Sequence, residues 1–410
     1  MMVLLYSKER IFNMSGLLLL ALMMIFQAQW YLPKIILLGM MFLTISRFKL
    51  SNNLLFFYGV YLVYGLWGIL IGLLNGTKYP FSNVTTVIFW PTLALPIIAQ
   101  LKDSSQYIKI TKVLFYVHLF LVVYDLVYAY SIIYGFYFPN IYGNNQIFSF
   151  YETSSRLGFI NLNILTFTAP VFFLIWLSKF EIGVSYLLQS LTLLLTFFLF
   201  ILSGRRSLML LFIAIPSITL VLKNRFPKEV IKKISWIVLA FILFLFLSVF
   251  YIYSNYPEVF YGYMETFINA FDSDVEPVKF AQQRMLISEF MKSPLWGHGV
   301  GVDFYEPFPG RLMFAHQFEL QYHLKLAQTG LIGFVMMGIT YFGIFFYGLY
   351  LSKIRYDSLF FFFLIGYFFV LIADATNPVM CSFDLMIPFF LCLAKINSNN
   401  INEENCYRGT

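Results

Sequence analysis

Residues 54–74 read LLFFYGVYLVYGLWGILIGLL and contain no charged side chain. A helix of about 20 such residues spans the roughly 30 Å hydrocarbon core of a bilayer, so this stretch predicts a transmembrane helix. Further apolar runs lie at 11–30, 33–46, 84–100, 113–134, 157–178, 183–202, 207–222, 234–254, 326–351, 358–376 and 380–395. We therefore expect an all-α polytopic integral membrane protein with about 12 transmembrane helices, within a range of about 10 to 12. The range allows the two short runs at 11–30 and 33–46 to form a re-entrant hairpin.

The composition agrees with a membrane protein. Hydrophobic residues make up 60% of the chain and charged residues 11%, whereas soluble domains carry roughly 25% charged residues. The net charge of +7 is explained by the position of the loops, and we expect no nucleic-acid partner. The three cysteines, Cys381, Cys392 and Cys406, are odd in number and lack a metal spacing, so neither a disulfide framework nor a zinc site is expected.

Lysine and arginine collect in cytoplasmic loops, and this bias predicts the orientation. Lys8 and Arg10 precede the first apolar run as in a signal peptide, but no small-x-small cleavage site follows, so we interpret the run as a retained span. A cytoplasmic N-terminus leaves most of the 27 lysines and arginines inside. The outward-facing ones are Lys34, Lys78, Arg156, Arg205, Arg206, Lys279, Arg284, Lys292, Arg311 and Lys325. The sequence predicts a multi-pass protein of the bacterial inner membrane with both termini cytoplasmic.

Four regions follow from this topology. Residues 1–254 form a transmembrane helical region of about nine spans, and residues 255–325 form a large periplasmic or extracellular loop with short helices. Residues 326–396 form the C-terminal transmembrane helices, and residues 397–410 form a polar cytoplasmic tail that we expect to be disordered. Long loops usually carry function, so the loop is the first place to look for a site.

The loop contains a glycine-rich turn and several cations. The turn reads Ser293-Pro294-Leu295-Trp296-Gly297-His298-Gly299-Val300-Gly301. Arg284 lies in a segment, 282–290, whose apolar residues predict an amphipathic helix at the membrane surface. Arg311 follows a Pro-Gly pair and is a second candidate. Arg205 and Arg206 occupy a very short outward turn, either as residues that snorkel to the interface or as an anion site for a lipid phosphate.

His316 is the candidate general base, because histidine titrates near neutrality. At helical spacing His316, Glu319 and His323 would share one face. The run does not match the His-Glu-x-x-His zinc pattern and lacks a third ligand, so we expect no metal and no other cofactor. His118 lies within an apolar run and is predicted to serve packing.

The ordered set of these residues resembles the O-antigen polymerase and O-antigen ligase superfamily of polytopic glycosyltransferases. The set comprises Ser203-Gly204-Arg205-Arg206-Ser207, then Arg284 with the glycine-rich turn, then His316 with Gly330-Leu331-Ile332-Gly333, then Asn377-Pro378. It covers roughly residues 200–380, and the N-terminal half agrees only in hydropathy. The chain departs from the family pattern at two places. The family turn usually reads Ser-Arg-Gly, whereas this chain has two adjacent arginines. The residue after the family histidine is often Asn, whereas this chain has Gln317.

The resemblance implies roles for the candidate residues. Arg206 or Arg205, together with Arg284 and with Arg311 as a further candidate, would bind the diphosphate of an undecaprenyl-diphosphate-linked oligosaccharide. His316 would act at the acceptor hydroxyl. The implied partners are that lipid-linked donor, the lipid bilayer, a chain-length regulator and a flippase.

Three functions stay open. We prefer a polymerase that joins lipid-linked repeat units of O-antigen or of a related surface polysaccharide such as capsule. The alternative within the family is a ligase that transfers the polysaccharide to lipid A core. A lipid-linked oligosaccharide flippase is the alternative from another class, for which Asp125 and Asp374 are the main intramembrane charges.

Overall fold

The structure is a computed structural model. It describes residues 2–27, 29–45, 49–142, 162–203, 277–302, 318–375, 377, 379–380 and 382–408, with a few isolated positions between 232 and 261. Throughout these ranges the regular structure is helical and no strand occurs. The predicted spans at 207–222 and 234–254 fall outside the described residues apart from those isolated positions.

The helices follow the apolar runs closely. They are α1 (Met2–Ile25), α2 (Tyr31–Thr44), α3 (Asn52–Leu74), α4 (Trp90–Gln100), α5 (Ser104–Tyr134), α6 (Leu162–Ser178), α7 (Tyr186–Ser203), α8 (Pro277–Lys292), α9 (Gln321–Ile354), α10 (Ser358–Asp374) and α11 (Ile387–Arg408). A π-helical turn, Thr85–Phe89, leads into α4, and a 3-10 turn, Phe383–Met386, leads into α11.

Three helices in the described part of the chain are long and apolar enough to cross a membrane, namely α3, most of α5 and α9. Five shorter apolar helices accompany them. Together with the composition, these helices indicate a helical membrane protein.

Helix α10 forms the centre of the bundle. Nearly all of its residues are buried, including the run of four phenylalanines from Phe360 to Phe363. It packs against α6, α9 and α11. The approach to α6 is close at Gly366, where an added Cβ would overlap the backbone carbonyl of Phe167 and the side chain of Val171. A helix that is apolar on every side belongs in the interior of such a bundle.

Local sequence sets where the helices begin. Ser51 caps α3 by accepting a hydrogen bond from the Leu54 backbone N–H at 3.3 Å. Asp357 caps α10 in the same way through Phe360 N at 2.9 Å. Asp103 and Gln106 form a reciprocal capping box at the start of α5. These caps satisfy N–H groups that the first helical turn leaves without partners.

The helix ends gather at two opposite ends of the bundle. We call the turn end the one that holds the glycine-rich turn 293–301, with residues 26–34, 75–84 and 374–384 near it. We call the tail end the one that holds residues 395–400. There Asn397 accepts a hydrogen bond from Ser51 N at 2.8 Å and Ser398 donates to the Lys102 carbonyl at 3.1 Å.

Two expectations about these ends are wrong. The segment from Asn397 was expected to be a disordered tail, but α11 continues to Arg408 and residues 397–400 are buried. Their amides and hydroxyls bond to the ends of other helices, and this satisfies polar groups that would otherwise oppose burial. Glu319 was expected on a helical face with His323, but α9 begins only at Gln321, and Glu319 N donates to Gln282 Oε1 at 3.1 Å.

Candidate functional site at the turn end

Of the predicted site residues, Arg284 is the one that the structure describes. Arg205, Arg206, Arg311 and His316 lie outside the described residues, so their roles stay predictions. The site is therefore built from the segment 277–302 and from the helices that receive it.

Helix α8 confirms the predicted helix around Arg284, and its packing shows which face is free. Leu286 is fully buried and contacts a small apolar cluster formed by Phe318, Leu320, Leu324 and Ala327 at the start of α9. The side of α8 that carries Leu286 is thus covered by protein. Arg284 lies on the other side, is exposed, and has no ion-pair partner within the part of the chain that the structure describes.

The turn after α8 depends on three glycines. Gly297, Gly299 and Gly301 have φ angles of 77°, 91° and 77°, a region that side chains with a Cβ rarely adopt. Space is also absent: a Cβ on Gly299 would overlap the backbone of Gly72, and one on Gly301 would overlap that of Tyr79. The glycines therefore allow backbone to lie directly against backbone.

The turn inserts into a break in α9. Gly330 has φ 63° and ψ −170° within that helix, which interrupts its hydrogen bonding. The turn replaces the lost bonds on both sides of the break. His298 N and Gly299 N donate to the carbonyls of Ala327 and Gln328 at 3.1 and 2.7 Å, and the N–H of Leu331 donates back to the Pro294 carbonyl at 2.8 Å.

The other side of the turn lies on α3. Val300 N donates to the Gly68 carbonyl at 2.9 Å, and Thr77 Oγ1 donates to the Val300 carbonyl at 2.9 Å. Gly68 and Gly72 leave room for Val300, because a Cβ on either would overlap its atoms. The turn thus joins α3, the 75–79 turn and α9 into one assembly.

Aromatic residues mark the outer surface of this assembly. Trp67 of α3 and Trp296 of the turn stack with ring centroids 5.3 Å apart, and Trp67 Nε1 donates to the Thr329 carbonyl at 3.0 Å. Trp296 and its neighbour Leu295 are about half exposed, at 53% and 52%. Amphipathic rings of this kind are enriched where protein meets the membrane–water interface.

A buried ion pair fixes the helices beside the turn. Lys325 Nζ lies 2.6 Å from Asp374 Oδ2, with both side chains nearly sealed from solvent. The other carboxylate oxygen, Oδ1, accepts hydrogen bonds from the N–H groups of Val379 and Met380 at 3.1 and 2.8 Å. Asp374 therefore ties the start of α9 to the chain that leaves α10, including the segment around Asn377.

Two buried polar atoms near the start of α9 have no hydrogen-bond partner among the described residues. They are Nδ1 of His323 and the amide nitrogen Nε2 of Gln328. Buried polar atoms in proteins are almost always hydrogen-bonded. These two atoms are therefore exceptions to that rule among the described residues.

The sequence interpretation missed several of these features. It treated Lys34 and Lys325 only as outward loop cations, whereas both are buried and paired, Lys34 with Asp384 at 2.8 Å. It also passed over Gly68-x-x-x-Gly72, a spacing of small residues that permits close backbone approach in membrane helices. That spacing was the available signal for the docking of the turn on α3.

His118, by contrast, was assigned correctly as a packing residue. It is fully buried, and its Nδ1 and Nε2 lie 2.7 and 2.8 Å from the hydroxyls of Thr168 and Thr196. One ring thus links α5, α6 and α7.

The fold and the site together define a class: a helical membrane protein in which a glycine-rich turn packs into one end of the helical bundle. No protein-family model matches the chain, and no curated protein matches it.

Proposed function

We propose that this protein is a polymerase of O-antigen or of a related surface polysaccharide. It joins undecaprenyl-diphosphate-linked repeat units at the outer face of a bacterial inner membrane, within a topology of about 12 spans and with both termini cytoplasmic. The observation that carries the proposal is the seating of segment 277–302 at the turn end. This segment holds Arg284 and leads into the stretch that contains His316.

The proposed reaction depends more on positioning the acceptor hydroxyl against the donor than on activating the donor, because the diphosphate of the donor is already a good leaving group. The acceptor oxygen attacks the anomeric carbon and the bond from that carbon to the phosphate oxygen breaks. The leaving lipid diphosphate keeps the electron pair. His316 accepts the hydroxyl proton, and direct displacement inverts the anomeric centre.

Charge on the leaving diphosphate is offset by guanidinium groups, which stay ionised and bind phosphate with two parallel hydrogen bonds. Arg284 supports this part of the proposal since it is exposed and lacks an ion-pair partner in the described ranges. Arg206 or Arg205, and Arg311, are assigned the same role from the sequence. The arginines take the part that a metal ion takes in other glycosyl and phosphoryl transfers.

The turn itself contributes rigidity. Its backbone is bonded to α3 and to both sides of the break in α9, so the residues that follow α8 are held relative to the bundle. Holding two reactants in a fixed geometry is worth several orders of magnitude in rate.

The test is the surface polysaccharide of a deletion strain that carries wild type, His316→Ala, Arg206→Ala or Arg284→Ala, with the amount of membrane-inserted protein measured. We expect the deletion to leave core carrying a single repeat unit, and the three variants to resemble it. Lys292→Ala is the matched control for Arg284, because Lys292 is an exposed cation on the same helix that already pairs with Glu289 at 2.5 Å.

Other outcomes separate the alternatives. Bare core with long polymer accumulating on undecaprenyl diphosphate would identify a ligase. Normal ladders from the point variants at normal protein levels would show that the proposed site is wrong.

A lipid-linked oligosaccharide flippase is the second candidate function, favoured by the burial of Asp125 within α5. Ionisable residues inside a membrane span commonly serve transport. Asp125→Asn decides between the two classes: a flippase loses transport of the lipid-linked unit, while the polymerase keeps near-normal ladders. The paired lysines and carboxylates favour the enzyme, since the carboxylates of these pairs lie at helix ends and are neutralised there.

A further inference from the structure

An apolar cleft opens between five helical segments of the bundle. Its cavity volume is about 130 Å³, below the roughly 300–1,000 Å³ of sites for drug-sized ligands, so it suits a narrow occupant. Its walls come from α1, α2, α4, α5 and the start of α11 with its preceding 3-10 turn. Apolar side chains such as Leu20, Met23, Ala94 and Phe390 line nearly all of it.

The polar lining residues stand together at one end of the cleft. Asn13, Gln106 and Lys109 are the polar residues that line it, and Gln106 donates to Asn13 Oδ1 at 3.1 Å. From Asn13 to Met23 the wall of α1 runs about 15 Å at the helical rise per residue. The cleft is thus a narrow apolar slot with a hydrogen-bonding, cationic mouth.

The mouth lies at the tail end of the bundle. Gln106 Oε1 accepts from the Lys102 backbone N–H at 3.0 Å, and the Lys102 carbonyl accepts from Ser398. Lys109 is exposed there, and Arg10 lies one turn before Asn13 on α1. Two exposed carboxylates, Glu9 and Asp103, are also nearby in sequence. The mouth therefore has charges of both signs, and the charged residue that lines the cleft itself is Lys109.

The cleft is partly open to the surface of the bundle, and the adjacent face of α1 is apolar. Met14 and Leu18 of α1 are 63% and 53% exposed, as expected for side chains that face lipid tails. A lipid molecule can therefore reach the slot sideways from its own leaflet.

We infer that the cleft binds one anionic phospholipid, with an acyl chain in the apolar slot and the phosphate headgroup on Lys109. Charge complementarity selects the anionic lipid, because basic residues near a membrane surface attract anionic headgroups. The length of the apolar slot favours a lipid over a free phosphate, because only a lipid has an acyl chain to fill it. The site is separate from the proposed polymerase site, and its test does not depend on the polymerase proposal.

The test is native mass spectrometry of the full purified chain, freed of lipid in detergent and titrated with phosphatidylglycerol or phosphatidylcholine of matched acyl chains. We expect one phosphatidylglycerol to be retained in preference to phosphatidylcholine. Lys109→Ala should weaken retention of phosphatidylglycerol about fivefold, the contribution expected of one lysine near an anionic surface. Lys112→Ala is the control, because Lys112 is an exposed cation on the same helix that does not line the cleft.

Two variants test the slot. Leu20→Phe and Ala94→Leu add bulk inside it and should reduce retention of both lipids, whereas Gly39→Leu adds bulk to open space outside it. If both slot variants fail to fold, the comparison of Lys109 with Lys112 decides alone. Equal retention of the two lipids by wild type, equal effects of the two lysine variants, or competition by millimolar inorganic phosphate would each overturn the inference.

Discussion

The two ends of the bundle are held together by different kinds of contact. At the turn end, backbone meets backbone: the N–H groups of His298, Gly299 and Val300 donate to carbonyls of α9 and α3. At the tail end, side chains do the joining: the amide of Asn397 bridges Ser51 N and the Lys49 carbonyl, and the Tyr347 hydroxyl meets Asn400 at 3.1 Å.

This difference in contact type predicts where substitution is tolerated. Backbone contacts through glycines have one geometry, and any Cβ disturbs it, so the turn end tolerates little change. Neutral side-chain hydrogen bonds such as those at the tail end can be removed one at a time at a limited loss of stability, whereas a buried ion pair such as Lys325–Asp374 cannot. Rigid backbone contacts suit the proposed function, in which the turn end holds reacting groups in place. Substitutions at the two ends compare the two kinds of contact.

The largest effect is expected from Asp374→Asn. The change leaves the Lys325 ammonium buried without its counter-charge, and loss of one partner of a buried pair costs about 3–5 kcal/mol of unfolding free energy. The matched tail-end variant is Asp357→Asn, whose carboxylate pairs with Lys395 at 2.8 Å and is 19% exposed against 1% for Asp374, although Lys395 is the more buried lysine, at 4% against 13% for Lys325. We expect the larger loss at Asp374, because its carboxylate is sealed and also accepts two backbone hydrogen bonds. Thermal melting of the purified proteins measures both, and equal losses would show that burial of the lysine, and not of the carboxylate, sets the cost.

The second-largest effect is expected from Gly299→Ala, and its comparison with Gly76→Ala separates steric overlap from backbone strain. Gly299→Ala combines a positive φ with overlap onto the Gly72 backbone, and we expect a loss of about 2–4 kcal/mol. Gly76→Ala, with φ 64° and open space around its Cβ position, should lose only about 1 kcal/mol. Melting temperatures compare the two; a Gly299 variant as stable as the Gly76 variant would show that the turn is not held against α3.

A smaller effect is expected from Asn397→Ala at the tail end. It leaves Ser51 N and the Lys49 carbonyl without their partner, at about 1–3 kcal/mol. Under the proposed function, polymer synthesis per folded molecule should stay unchanged, because the tail end does not touch the site. Reduced synthesis per folded molecule, measured against the membrane-inserted protein, would contradict the division between the ends.

The smallest effect is expected from Trp296→Leu, which removes the stack on Trp67 at about 0.5–1.5 kcal/mol. Leu295→Ala is its control, because Leu295 is equally exposed but makes no ring stack. Tryptophan fluorescence and melting together report the loss. A Leu295 variant that loses as much stability would show that exposed area, and not the stack, sets the effect.

The apolar pattern predicted the helices well where the residues are uniformly apolar. The run 54–74 became Asn52–Leu74, and the run 358–376 became Ser358–Asp374. It failed where polar residues are helical and buried: α9 begins at Gln321, before the predicted run at 326–351, and α11 continues through Asn397–Asn400. Hydropathy counts such residues as loop, because it does not include the partners that satisfy them in the fold.

The site was less accessible to prediction. The helix around Arg284 and the turn 293–301 were found from local patterns, since amphipathic spacing and glycine clusters are local signals. The pairing of Lys325 with Asp374, and the seating of the turn in the break at Gly330, join residues far apart in sequence. No periodicity reports such contacts, and the one local signal for contact with α3, the spacing of Gly68 and Gly72, was passed over.

The break at Gly330 also has an electrostatic consequence. A helix that starts afresh inside a protein normally offers its first N–H groups, and the positive pole of its dipole, to an anion. Here the N–H groups of Leu331 and Ile332 are already used by the carbonyls of Pro294 and Leu295. The new helix start is neutralised by the turn. Under the proposed function, recognition of the anionic donor at this end therefore depends on guanidinium side chains such as that of Arg284.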